Sequence, residues 1–159
     1  MTGPAGIRRM LASCPRAIIR MSVIALIGGH ALAADNEARK SASAFGHSVD
    51  ITHPADGGHT VVVNGTPLFS DRSDAELSVL GIYTANSHPY AVIKQRYAGN
   101  ACPVKYRVIS LVPTPKQTRT FGTCRDHAHI STLGETLKVT LPASSGQKTY
   151  SIHNTQITP

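Results

Sequence analysis

The chain has 159 residues, a formal net charge of +7, and 5% aromatic residues with no tryptophan among them. That length suits one domain with a modest core. The scarcity of aromatic faces excludes large stacking platforms for sugars or single-stranded nucleic acid.

Residues 1–33 read as an export signal. Arg8, Arg9, Arg16 and Arg20 make a basic start, residues 21–29 an apolar stretch, and Ala31-Leu32-Ala33 a small-x-small cleavage site. An apolar run of about nine residues cannot span a bilayer, which needs about 20. Cleavage is therefore expected, with no transmembrane anchor left behind, and the mature protein is periplasmic or secreted. The Arg8-Arg9 pair admits twin-arginine export, but Met10 and Leu11 fit that pattern loosely, so the general secretory route is expected. Cleavage removes four of the 16 Lys and Arg; the remaining 12 against 9 Asp and Glu give +3. It also removes Cys14, which leaves Cys102 and Cys124 as an even pair.

Residues 34–58 are polar and rich in small side chains, and read as a flexible leader with at most one short strand near residues 49–52. The folded part, residues 59–159, opens on "TVVVNGTPLF", where Asn64-Gly65 between two apolar runs is a hairpin signal. Asn64-Gly65-Thr66 also matches a glycosylation sequon, which the hairpin explains without sugar. Residues 71–80 admit a helix capped by Ser73 or Asp74, although period two is the stronger pattern. Leu77 and Val79 differ in parity from Leu80 and Ile82, which predicts a bulge near Leu80 or Gly81. Residues 90–97 form a β-branched and aromatic run. Val104, Tyr106 and Val108 then alternate with Lys105 and Arg107, and Leu137, Val139 and Leu141 with Thr136, Lys138 and Thr140. A last strand is expected over residues 149–153. Seven or eight short strands with regular turn signals point to an all-β antiparallel sandwich or small barrel.

The stretch "GNACPVKYRVISLVPTPKQTRTFGTCRDHAH" carries both remaining cysteines and two histidines. In an oxidising compartment, Cys102 and Cys124 are expected to form a structural disulfide. Closing a loop of about 23 residues would contribute about 3.4 kcal/mol on the chain-entropy model. Two rivals stay open. His127 and His129, with or without the thiols, could hold zinc or copper, provided that their segment is a strand that puts both on one face. A redox pair is the weaker rival, because the cysteines lie 22 positions apart with no helix start to lower a thiol pKa.

Residues 77–125 contain no Asp or Glu, while Lys94, Arg96, Lys105, Arg107, Lys116, Arg119 and Arg125 are all cationic. On neighbouring strands these would form a positive face for an anionic partner: a phosphorylated headgroup, an acidic polysaccharide or an acidic protein. A face kept soluble by lysine and arginine explains the same pattern. Nucleic acid is not an expected partner, given the compartment and the lack of interleaved aromatics. His47, His53 and His59 recur every six residues, a spacing open to loose metal binding but as well explained by surface histidines. No Gly-x-Ser-x-Gly or His-Glu-x-x-His occurs. Asp71, Asp74 and Glu76 sit in a turn-like stretch, where carboxylates serve caps and turns.

"AGNACPVKYRVISL" followed by "FGTCRD" resembles a pattern in small exported bacterial proteins of uncharacterised function, with a Gly-x-x-Cys-Pro strand entry and a Phe-Gly-Thr-Cys segment. The resemblance covers residues 61–141 and implies export and a β-rich domain with paired cysteines; it carries no catalytic residue. The expectation is an exported cell-envelope binding or accessory module without catalysis or cofactor. It would meet an anionic partner through Lys94, Arg96, Lys105, Arg107 and Arg119. The alternatives are a periplasmic metal-binding protein using His127 and His129, and a hydrolase of unrecognised type.

Overall fold

The computed structural model describes residues 39–99 and 101–159. The expected export signal, residues 1–33, and the first residues of the expected leader lie outside them. Among the described residues there are twelve strands and no helix. They form three four-stranded antiparallel sheets, each built from consecutive stretches of chain. The first sheet holds β1 (Ser41–Ala44), β2 (His47–Thr52), β3 (His59–Val63) and β4 (Thr66–Asp71). The central sheet holds β5 (Glu76–Ala85), β6 (His88–Arg96), β7 (Val104–Ser110) and β8 (Lys116–Gln117). The third holds β9 (His129–Leu133), β10 (Thr136–Ala143), β11 (Gly146–His153) and β12 (Gln156–Thr158).

The central sheet is covered on both faces. Tyr90 and Val92 of β6 and Val104, Tyr106 and Val108 of β7 pack with Leu137, Val139, Leu141, Tyr150 and Ile152 of the third sheet. Their neighbours of opposite parity, Ala91, Ile93 and Ile109, pack with Val49, Ile51, Val61 and Val63 of the first sheet. A strand buried on both sides must be apolar at nearly every position, and β6 is buried from Pro89 to Gln95. Each fully buried Val, Leu or Ile contributes about 1.5–3 kcal/mol, so these two layers of side chains supply most of the driving force.

The strands follow the alternation. The expected bulge is present as a register shift between Val79 and Gly81. Before it Leu77 and Val79 face the first sheet; after it Ile82 does, while Leu80 and Tyr83 face the third. Asn64 (φ 49°) and Gly65 (φ 77°) form the two-residue turn between β3 and β4. The Asn64 side chain is committed there, its Oδ1 accepting from Ser48 N at 2.9 Å and its Nδ2 lying 3.2 Å from His47 Nδ1. The sequon is thus a turn residue that ties β2 to β3.

Two expectations are corrected. The leader assigned to residues 34–58 contains two strands, β1 and β2, with Val49 opposite Val63 and Ile51 opposite Val61. Two alternating apolar residues suffice when a partner strand supplies the rest of the apolar surface, a signal too short to stand out in a polar stretch. With β8, β9 and β12 also short, the strand count exceeds seven or eight. Residues 71–80 are not a helix. Ser73 N donates to Asp71 Oδ1 at 2.9 Å and Ala75 N to Ser73 Oγ, a side-chain-closed turn that ends before β5 begins at Glu76.

Candidate functional site

The chain after β7 turns back along it. Ile109 pairs with Gln117, Thr118 N donates to Val108 O, and Tyr106 and Phe121 exchange both backbone hydrogen bonds. This carries Cys124 back to the start of β7, where it forms a disulfide with Cys102, the Cα atoms 4.5 Å apart. The pairing predicted from compartment and spacing is therefore present, and it takes the sulfurs away from any metal or redox role in this state.

The structure divides the basic run instead of assembling it. Lys94 and Arg96 share the parity of Tyr90 and Val92 and point toward the third sheet, whereas Lys105 and Arg107 share the parity of Ile109 and point the other way. Neighbouring strands place the four on opposite faces, because in an antiparallel pair Lys94 sits opposite Tyr106, not Lys105. The single positive face expected from Lys94, Arg96, Lys105, Arg107 and Arg119 is corrected on that ground. Lys105 lies 5.4 Å from the Tyr97 ring centroid. Arg107 is half-buried over the Phe69 ring at 4.6 Å and donates to Gln117 Oε1, so it bridges the first and central sheets. Arg119 is exposed, in the segment that runs along β7.

Lys94 and Arg96 converge on Asp126. Lys94 Nζ reaches the carboxylate at 3.4 Å with its side chain 7% exposed, Arg96 Nη2 donates to Oδ2, and Tyr106 Oη donates to Oδ1 at 3.4 Å. Burial alone would push the Asp126 carboxyl up. The His127 N–H and the two cations outweigh it and hold the group below the ordinary carboxylate range. The Tyr106 phenol, buried and facing that carboxylate, is pushed far up and stays neutral. Asp71 behaves like Asp126: burial raises it, and the Ser73 hydrogen bonds, the Arg107 charge and the Gln95 amide at 2.8 Å bring it below normal.

These shifts have a pH consequence. A group whose folded-state pKa is depressed stabilises the fold above its unfolded pKa and loses that contribution as pH falls through the folded value. His59 is lowered, chiefly by burial and then by the adjacent His53 and Lys40, against Asp71 and Glu76, which raise it. Stability is therefore expected to fall in two stages on acidification: below about pH 6.5 through His59, then below about pH 4 through Asp71 and Asp126. Urea midpoints measured from pH 8 to pH 3 check this. H59N should remove the first stage, and a profile flat down to pH 3 would refute both.

Beside the disulfide lies an open cleft of about 640 Å³, lined by Pro103, Thr123, Cys124 and Arg125 on one wall and by Ser144 and Lys148 on the other, with Tyr150 between. Tyr150 Oη donates to Gly122 O at 3.0 Å and Thr123 Oγ1 to Pro142 O, so the walls are tied together across the cleft floor. Lys148 Nζ lies 5.3 Å from the Tyr150 ring centroid. Arg125 and Lys148 are exposed, and no carboxylate lines the cleft among the described residues. Sequence reasoning counted Arg125 in the basic run but gave Lys148, 23 residues downstream, no role.

His127 and His129 do not share a strand. His127 has φ 68° and precedes β9, whose first residue is His129; both are exposed. Antiparallel pairing of Thr52 with Thr60 brings the rings of His53 and His59 into edge-on contact at 4.4 Å, while His47 lies at the other end of β2 beside Asn64. Among the described residues no three His, Cys, Asp or Glu side chains are placed to hold a metal ion. His88 Nε2 is 2.8 Å from Ser110 Oγ, which also lies 3.1 Å from Val112 O, and Ser110 is 4% exposed.

No protein-family model matches the chain, no curated protein matches it, and no solved structure matches it.

Proposed function

We propose that this chain is an exported, disulfide-stapled module of the cell envelope that binds an anionic partner through the cleft beside Cys102–Cys124. The observation that carries the reading is the pairing of Arg125 and Lys148 in a cleft that, among the described residues, is lined by no carboxylate. Lys94 and Arg96 are neutralised in part by Asp126, and Arg107 is held between Phe69 and Gln117, which leaves the cleft as the place where positive charge meets concave surface. A field of that sign attracts phosphate or carboxylate groups and weakens with salt. The residues of the signal, Arg8 to Ala33, and the disulfide both suit an oxidising exported location.

The test is retention of the mature protein on alginate, an acidic polysaccharide, at low and moderate salt. R125E/K148E should lower affinity at least about tenfold, a loss of about 1.4 kcal/mol. K116E/R119E should leave most of it. All four residues are exposed, so the fold is expected to tolerate these changes, and thermal melts verify that. Equal retention by R125E/K148E and the parent would end the proposal. Metal binding at His127 and His129 is separated by native mass spectrometry of protein taken from the periplasm: a bound ion lost in H127A/H129A would favour it.

A further inference from the structure

A second pocket lies where three hairpin turns meet. The β5–β6 turn brings Asn86, the β9–β10 turn Glu135, and the β11–β12 turn His153 and Asn154, with His88 and Tyr90 of β6 completing the lining. Its volume is about 170 Å³. At about 30 Å³ per water that is room for some five or six waters, so a ligand of only a few heavy atoms fits and a polymer or nucleotide does not.

The pocket is held in shape. Tyr90 Oη donates to Glu135 O at 3.4 Å and accepts from Asn154 N at 3.1 Å, which joins two of the turns through a tyrosine that is 1% exposed. Asn86 Nδ2 donates to Glu135 Oε1 at 3.5 Å and joins the third. Asn86 (φ 47°), Ser87 (φ 66°) and Asn154 (φ 54°) occupy the left-handed region, which fixes the turn backbones. A pre-shaped site of this kind loses little ordering free energy on binding.

Its chemistry is that of an acceptor set. His88 Nε2 is engaged with Ser110 Oγ at 2.8 Å, on a ring tilted 36° and 4.7 Å from Tyr90. The lining adds the Glu135 carboxylate, the amide oxygens of Asn86 and Asn154, and the His153 imidazole. It contains one carboxylate and no Lys or Arg, the opposite polarity to the basic cleft. We propose that this pocket is a binding site for a small primary ammonium ion, whose three N–H donors meet the Glu135 carboxylate and the amide oxygens of Asn86 and Asn154. A divalent cation suits the volume but not the ligand set, since among the described residues no three His, Cys, Asp or Glu side chains converge there.

The probe is ethanolamine, titrated into isotopically labelled mature protein and followed by amide chemical shifts, with uncharged ethylene glycol and zinc chloride as separate titrations. Saturable shifts at Asn86, Glu135 and Asn154 with ethanolamine alone are expected, with E135Q weakening the affinity at least about tenfold. R125E/K148E should bind ethanolamine as the parent does, which keeps this result independent of the basic cleft. Glu135 is exposed on a turn, so E135Q is expected to fold, and its unperturbed spectrum would verify that. Equal shifts with ethylene glycol, no shifts with ethanolamine, or saturable shifts with zinc alone would each overturn the assignment.

Discussion

Replacing Asp126 by alanine is expected to cost about 3 kcal/mol, the lower end of the range for removing one partner of a buried ion pair. Lys94 would be left with its side chain 7% exposed and its carboxylate gone, and Tyr106 would keep the long contact to Arg125 O at 3.5 Å and the backbone hydrogen bond from Ala128. Arg96 is 53% exposed and can turn to water, so Lys94 carries the penalty. The Asp126 side chain, itself 21% exposed, keeps the figure from the upper end of the range. The control is K94M/D126A, which removes the stranded charge and should recover stability to within about 1 kcal/mol of the parent. Urea denaturation measures both. A loss below about 0.5 kcal/mol for D126A, the size of an ordinary surface change, would mean that the cluster does not hold the 122–129 segment onto the sheet. The same geometry makes K94E a poor probe of binding, because it would bury a carboxylate against a carboxylate.

The second large effect belongs to the staple. C102S/C124S is expected to lose about 3 kcal/mol, since the bond closes a loop over 22 positions of sequence and constrains the unfolded chain accordingly. For a domain of this size the melting temperature should fall by roughly 10 °C. The variant should still fold, because Phe121 remains paired with Tyr106 and Tyr150 still holds Gly122. What detaches is the wall around Pro103, so alginate retention should fall along with stability. An unchanged melting temperature would show that the antiparallel pairing along β7 already confines this loop, and that the disulfide adds nothing to it.

Much of the architecture was readable because period two is a local property. Leu77 and Val79, Val104 to Val108, and Leu137 to Leu141 declare strands through their own alternation, and Asn64-Gly65 declares a turn through the positive φ angles that this pair tolerates well. The bulge was legible for the same reason, as a change of parity within one strand. Of the first hairpin, the short strand expected near residues 49–52 is present as part of β2, whereas β1 was not legible. Val49 and Ile51 are strand residues only because Val61 and Val63 lie opposite them, and a polar stretch with two apolar residues carries no trace of that partner.

The candidate site divides along the same line. Composition and the expected compartment pointed to the staple, since two cysteines in a domain expected to be exported have few alternatives to each other. They also determined that positive charge accumulates between residues 77 and 125. Which of those charges is available was decided only by the tertiary structure. Sheet parity sends Lys94 and Arg96 to one face and Lys105 and Arg107 to the other, and Asp126, 30 residues from Arg96 in sequence, neutralises the first pair in part. Arg125 and Lys148 become neighbours of one cleft because the third sheet folds back over the central one. A charge run is a one-dimensional count, whereas an electrostatic site depends on distance and on which charges share a solvent-exposed surface; only the packed sheets specify those.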